Sequence, residues 1–341
     1  MERILATFFF VFLCIVTALT DAAGNDSVSA YDTAVIHLIR QDYSTAQKLL
    51  ATHLRTDPDD MNALYLSFAI EQTRILDYES YMVEHREFQN MADSLKGIFE
   101  SRLNKLHGFD STVCLFYLAN VYGGTGVMQA KTGNWFDGVK NAITSVSMLK
   151  QVKKRDSTFY AADLGVGIFN YYLSTSLKWL PFTENKEKEG IDAIELALNA
   201  DFPYNYAAKN SLCWILIDRK DFRRADSIAQ SVLDEYPDNT IFLRIKMLIK
   251  LWTGRYEDAL RYGTKLVEVT EKRQPGNWSD LVAGYMVLVQ SYEELGKSDH
   301  ACAAAENLLR RKIPSAYLQI PHIKKHLKYV RGVRQNCRKE R

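Results

Sequence analysis

The chain has 341 residues, 47% hydrophobic and 25% charged, a balance normal for a folded protein, and a formal net charge of +2. That charge is uneven: residues 310–341 carry +10 and residues 23–309 carry −7. An acidic body with a basic tail lacking interleaved aromatics excludes nucleic acid as a partner, and the absence of CxxC or a Cys/His cluster argues against zinc and thioredoxin-like chemistry.

Residues 1–23 read as a secretory signal peptide. Arg3 is its basic start, Ile4 to Leu19 is an uncharged apolar run, and Ala18, Ala22 and Ala23 are small residues suited to cleavage. The expected location is periplasmic or extracellular. The alternative is anchoring by an uncleaved signal, although 16 residues is short for a membrane span. Cys14 follows Leu13 rather than a small residue, so it reads as part of the apolar run, not as a lipidation site. No later run is long and apolar enough to span a bilayer.

From residue 24 to 309 almost every segment has the 3.6-residue period and none alternates like a half-buried strand, so the expected fold class is all-α. The first element, Gln41 to Pro58, has a polar turn, an aromatic at Tyr43 and a small residue three further on at Ala46. Arg219 to Pro237 repeats this with Phe222 and Ala225, and Thr253 to Val269 with Tyr256 and Ala259; the first two close on Pro58 and Pro237. The turn lets one helix end, alanine permits two helices to approach closely, and proline ends the second helix. This pattern resembles the tetratricopeptide repeat. The resemblance implies a helical-repeat solenoid with insertions and a binding role.

Weaker copies place small residues at Ala193 and Ala301, and with Gly138 the series runs 46, 138, 193, 225, 259, 301. Steps of 32 and 34 residues suit a repeat, and the longer steps mark insertions. A long helix, roughly Glu79 to Leu106, is expected in the largest gap.

The stretch GGTGVMQAKTG, Gly123 to Gly133, suggests a phosphate loop. A Walker motif would need glycines where Thr125 and Ala130 stand, and a strand before it where the period is helical. The repeat register instead makes Gly133 the turn residue, Trp135 the aromatic and Gly138 the contact residue. Gly123, Gly124 and Gly126 then lie inside a helix, at roughly 1 kcal/mol each against alanine, which close approach of a second backbone or of a ligand would offset. A second small-residue helix, Asp156 to Phe182, carries Ala161, Ala162, Gly165 and Gly167 beside Phe169, Tyr171 and Tyr172. Tyr122, Gly124, Gly126, Gly133, Asn134, Trp135, Tyr160, Gly165, Gly167, Tyr171, Tyr172, Trp179 and Leu180 together make residues 118–182 similar to the tetratricopeptide repeat protein 39 family and its bacterial exported relatives. That resemblance implies no catalytic residues.

Cys114, Cys213 and Cys302 read as buried small hydrophobes; a disulfide is permitted in an exported chain but nothing in the spacing indicates one. The tail, 310–341, reads as a basic C-terminal helix that could touch an anionic surface. His322 and His326 share a helix face but have no acid near them in sequence, and read as surface residues. HEXXH and GxSxG are absent and no two carboxylates stand out. The expectation is a non-enzyme without metal or cofactor. The sequons at Asn25 and Asn277 would matter only in a eukaryotic secretory route.

What remains is surface for a protein or peptide partner. In proteins with such repeats the first helix of each pair lines the concave side, which implies Asn120 and Gly123, then Ala207, Asn210 and Trp214, then Met286 and Val289. These lack the Lys/Asn arrangement of repeats that clamp a carboxylate, so apolar and aromatic anchors are expected. The alternative is a lipid or small-molecule pocket within 116–182, using Trp135, Tyr171, Tyr172 and Trp179.

Overall fold

The computed structural model describes residues 30–176, 185–200, 203–273 and 276–339. The predicted signal, Trp179 and Leu180 lie outside them. The described residues form sixteen helices and no strand. They divide into two compact units. The N-terminal unit runs to Leu76 and resumes over Glu84–Ile215; the C-terminal unit joins Asp77–Val83 to the chain from Leu216 onward.

The first nine helices are α1 (Ala30–Ile39), α2 (Tyr43–Thr56), α3 (Met61–Asp77), α4 (Tyr81–Leu103), α5 (Gly108–Lys131), α6 (Trp135–Arg155), α7 (Tyr160–Ser176), α8 (Glu187–Ala197) and α9 (Tyr204–Asp218). The rest are α10 (Phe222–Leu233), α11 (Thr240–Trp252), α12 (Tyr256–Glu271), α13 (Trp278–Glu294), α14 (Ser298–Leu309), the short α15 (Ser315–Leu318) and α16 (Pro321–Lys339).

Five helix-to-helix turns are built alike. Gln41, Gly133, Lys220, Gly254 and Gly296 each hold a left-handed φ between 60° and 93°. At each, two backbone bonds cap the preceding helix: Asn134 N–H donates to the Gln129 carbonyl at 2.8 Å and Gly133 N–H to that of Ala130 at 3.2 Å, and the other four repeat this pairing. This Schellman arrangement satisfies the last carbonyls of the helix. The next helix begins two residues later. Asp42 and Asp221 cap theirs, accepting from the backbone N–H of Thr45 and Arg224.

Three residues into that helix comes the close contact. Ala46, Gly138, Ala225, Ala259 and Ala301 are all buried there. The same register in α8 falls on Gly190, not on Ala193, which is only half-buried. A Cβ on Gly190 would stand 2.6 Å from Tyr171 N and 2.7 Å from the Gly167 carbonyl oxygen. The contact-residue assignment therefore moves from Ala193 to Gly190, because α8 starts at Glu187 without the aromatic that marks the other starts.

The helical glycines answer the same need. A Cβ on Gly126 would sit 2.8 Å from the Gly138 carbonyl oxygen, and one on Gly138 3.0 Å from that of Gly126. Two helix backbones thus touch where α5 crosses α6. A Cβ on Gly124 would meet Gln72 and Phe68 of α3. Gly126→Ala should therefore destabilise the protein by about 1–3 kcal/mol, overpacking outweighing the helix gain. Gly97→Ala, at an exposed position of α4 with nothing within 4 Å, should stabilise it by up to about 1 kcal/mol. Urea unfolding of both variants checks the contrast; equal behaviour would contradict the close crossing.

The N-terminal unit buries an aromatic core. Tyr65 stacks on Tyr117 with centroids 4.2 Å apart, Phe68 meets Phe88, and Phe116 meets Phe159. Tyr117 donates to Asn62 Oδ1 at 2.6 Å, so the buried hydroxyl is satisfied. In the C-terminal unit Leu281, Val282 and Val289 of α13 pack with Ala305 and Leu308 of α14 and with Ile323, Leu327, Val330 and Val333 of α16. The basic tail is thus largely an amphipathic helix that completes this core and turns Lys324, Lys325, Lys328 and Arg331 to solvent.

Cys302 and Cys337 form a disulfide between α14 and α16, with Cα atoms 6.0 Å apart. This corrects the reading of Cys302 as a buried hydrophobe; Cys114 and Cys213 are buried thiols.

Candidate functional site

The central segment forms an apolar cleft of about 90 Å³ in the N-terminal unit. Gly123, Gly126, Val127 and Ala130 of α5 make one wall. Trp135, Gly138, Val139, Ala142 and Val146 of α6 make the second, and Ile168, Phe169, Tyr172 and Leu173 of α7 the third. The cleft exists because Gly126 and Gly138 bring α5 and α6 together and leave no side chain between them.

The apolar surface continues beyond the cleft. Along α6, Phe136 is 92% exposed, Val139 45% and Ile143 54%. These positions form one stripe of the helix, while Gly138, Ser145, Leu149 and Val152 form its buried stripe. So α6 carries two apolar faces, and among the described residues one of them is largely exposed. Exposed apolar residues that fall on one face of a helix differ from singly scattered surface hydrophobes.

Of the predicted binding residues, Gly123, Trp135 and Tyr172 meet in this cleft. Tyr171 is fully buried on the opposite side of α7, its ring edge-on to Tyr172. Asn120 is buried and donates to the Phe116 carbonyl of its own helix at 2.8 Å. Asn210 and Trp214 are half-buried on α9, away from the cleft lining. Trp179 lies outside the described residues. In the C-terminal unit Val289 is core, and Met286 packs partly against it. The residues that sequence reasoning missed are Phe136, Val139, Ile143, Phe169 and Leu173.

The C-terminal unit holds a buried ionic cluster. Arg244 Nη1 lies 2.9 Å from Asp280 Oδ1 and 3.2 Å from Glu79 Oε1. His322 Nε2 lies 2.8 Å from Glu79 Oε2 and 2.9 Å from Ser279 Oγ. Arg273 Nη1 is 3.8 Å from Asp77 Oδ2, and Asn277 donates to the Asp77 carbonyl at 3.2 Å and to Asp280 Oδ2 at 3.0 Å. His322 is thus no plain surface residue: folding supplies the acid that its sequence neighbourhood lacks. Burial first, and the nearby Asp77 charge, push the Asp280 carboxyl up to about 7 against the pull of Arg244. Burial, then the neighbouring His322, lowers His326 to about 4.

Shifted acids and bases can mark an active site, but structural ion networks shift them as well. Here Asp280 is wholly buried, and Asn277 is at once an N-cap and a cross-link. Glu79 holds a left-handed φ of 51°, a conformation costing a non-glycine residue roughly 1–2 kcal/mol. Its ion pairs hold that turn in place. The geometry is that of a clasp on segment 77–83. Asn277 is fully buried, so its sequon is closed to modification in the fold.

His53, Asp57 and Asp60 offer three ligand atoms within 4.8 Å of one another. Asp60 caps α3 through the backbone N–H of Asn62 and Ala63, and its other oxygen is 2.8 Å from His53 Nε2. That set ties α2 to α3.

No protein-family model matches the chain, and no curated protein matches it. Among solved structures it is similar to a chain of the APC/C hetero-tetramer Cut9-Hcn1, at TM-score 0.55 and 14% identity, over 89% of this chain and 50% of that one. The chain thus spans about half the length of that relative. It also aligns with PilW, a widely conserved type IV pilus biogenesis factor (TM-score 0.43, 14% identity, 88% and 96% of the chains), and with a tetratricopeptide repeat protein from Parabacteroides merdae ATCC 43184 (0.41, 10%, 89% and 97%). At those two scores neither adds to the fold assignment. With the five matching turns and the small-residue register, the fold is an all-α helical repeat of the tetratricopeptide type. The finer likeness to the tetratricopeptide repeat protein 39 family finds no counterpart in these comparisons.

Proposed function

We propose that the protein is a non-catalytic scaffold that works in the cell envelope and docks a protein partner on the α5–α6–α7 cleft. The observation that carries this is the second apolar face of α6, Phe136, Val139 and Ile143, running into a cleft whose walls are apolar. An anchor side chain from the partner would fill the cleft, and the stripe would cover the surrounding surface, the arrangement that gives interface hot spots. The tetratricopeptide-type fold supports a protein partner, since such folds present helix faces for binding. A lipid or small-molecule pocket is the weaker reading, because about 90 Å³ is far below the roughly 300 Å³ at which drug-sized sites begin.

Export is supported by the apolar run at residues 4–19 and by the Cys302–Cys337 bridge, since such bridges persist in oxidising compartments. The solvent face of α16 offers a salt-sensitive contact to an anionic surface. Its apolar face is already spent on the core, so that contact would be electrostatic only.

The test is the double variant Phe136→Ser/Ile143→Asn. Both side chains are exposed, so the unfolding midpoint should be unchanged. Affinity for a partner purified with the wild-type protein should fall by about 2 kcal/mol per anchor, roughly thirtyfold. A double variant that keeps its full affinity would refute the assignment.

A further inference from the structure

The second observation lies in the C-terminal unit and concerns charge. Helices α10, α11 and α12 border an open, polar surface pocket of about 640 Å³. Lys246 and Lys250 rise from its floor on α11, only 3% and 4% exposed. Arg255 and Arg261 stand at its edge, with Tyr262, Ser227, Ser231 and Gln230 completing the lining.

The protein's own anions do not balance these cations. Both ammonium groups lie on the same oxygen of Asp226, Lys246 at 2.9 Å and Lys250 at 2.7 Å. Both arginines pair with Asp258, Arg261 at 2.6 Å. Four cations therefore face three carboxylates, Asp226, Asp258 and Asp234, which leaves one cation in excess. Asp234, exposed at the rim, is engaged by Gln230 at 2.8 Å. Burial disfavours ionisation of Asp226, but the two lysines outweigh it and hold its carboxyl below the usual range. Each ammonium has three protons to donate; the Asp226 side chain takes one from each, and the Asp226 backbone carbonyl lies 3.5 Å from the Lys246 ammonium. Lys246 also lies 5.4 Å from the centre of the Tyr262 ring, which holds it over the pocket. Buried positive charge in excess of its partners is costly unless an anion neutralises it.

We propose that this pocket binds a phosphate group, either as inorganic phosphate or at the end of a phosphomonoester. An anionic group with several acceptor oxygens matches the excess positive charge and the N–H and O–H donors of the lining. The volume leaves room for a small body attached to the phosphate. Neither the apolar cleft nor its partner is involved.

Isothermal titration of the full chain with inorganic phosphate, and separately with glycerol phosphate, tests it at ionic strength matched with sodium chloride. At least one probe should bind saturably, one per chain. Lys250→Met should weaken binding about tenfold or more, the loss of a charge-assisted contact. If that variant misfolds, Arg255→Gln/Arg261→Gln carries the test, because both side chains are exposed and the fold does not need them. Saturation by glycerol phosphate alone would identify a phosphomonoester site. Absence of saturable binding by both probes, or undiminished binding in the folded double-arginine variant, would overturn the proposal.

Discussion

Arg244→Met should lose about 3–5 kcal/mol of stability at neutral pH, the usual cost of stripping one partner from a buried ion pair. The guanidinium, 4% exposed, serves both Glu79 and Asp280. Without it three carboxylates, Asp77, Glu79 and Asp280, share the Arg273 charge and His322. The deficit should shrink as pH falls, because carboxylates can then take up protons instead of remaining as buried charges. The wild-type protein carries the same logic in milder form. Folded Asp280 keeps its proton up to about pH 7, whereas the unfolded side chain loses it near 3.8. Between those values the native state binds the extra proton, so this group's contribution is full below about pH 4 and is lost as pH rises towards 7. Asp280→Asn should abolish that decline. Urea unfolding of the three proteins between pH 4 and 8 measures it. A wild type and an Asp280→Asn variant with parallel pH profiles would show that Asp280 does not titrate as described.

The second large effect is expected from the disulfide. Cys302 and Cys337 enclose a loop with a sequence separation of 35. The chain-entropy relation gives about 4 kcal/mol for a loop of that length. Cys302→Ser/Cys337→Ser should therefore unfold at distinctly lower urea, and reduced wild-type protein should unfold with it. Both should first loosen α16, whose Ile323, Leu327, Val330 and Val333 fill the core that α13 and α14 share. An oxidised and a reduced protein with the same midpoint would contradict the bridge.

How much of this was legible in the sequence depends on how local each feature is. The turn, the aromatic and the small residue three positions on lie within a few residues of one another, and the same bonds recur at Gln41, Gly133, Lys220, Gly254 and Gly296. The glycines of the central segment were readable as close-approach positions for the same reason. The reading slipped at α8, where Gly190 and Ala193 both offer a small side chain and no aromatic marks the start of the helix. Features joining distant segments were hidden. Asp77 and Glu79 look like an ordinary polar turn until folding brings Arg244, Asp280 and His322 to them. Cys302 and Cys337 look unrelated until α14 and α16 lie side by side.

The cleft was half legible. Glycines and aromatics in 116–182 pointed to it, and Gly123, Trp135 and Tyr172 line it. Which face of each helix would meet it was not readable, and so Asn120 and Tyr171 turned elsewhere. One signal was present and unused. Phe136, Val139 and Ile143 share a face of α6 that the buried stripe at 138, 145, 149 and 152 does not need.

The measurement that tests the central claim most directly is site-specific photo-cross-linking in the native host. A photoreactive residue would replace Val139 in the cleft or, as a control, the exposed Glu268 of the C-terminal unit. A discrete protein adduct from position 139, absent from position 268 and lost in the Phe136→Ser/Ile143→Asn background, is the predicted result. Adducts of lipid mass alone, or the same proteins captured equally from both positions, would contradict a protein-docking cleft.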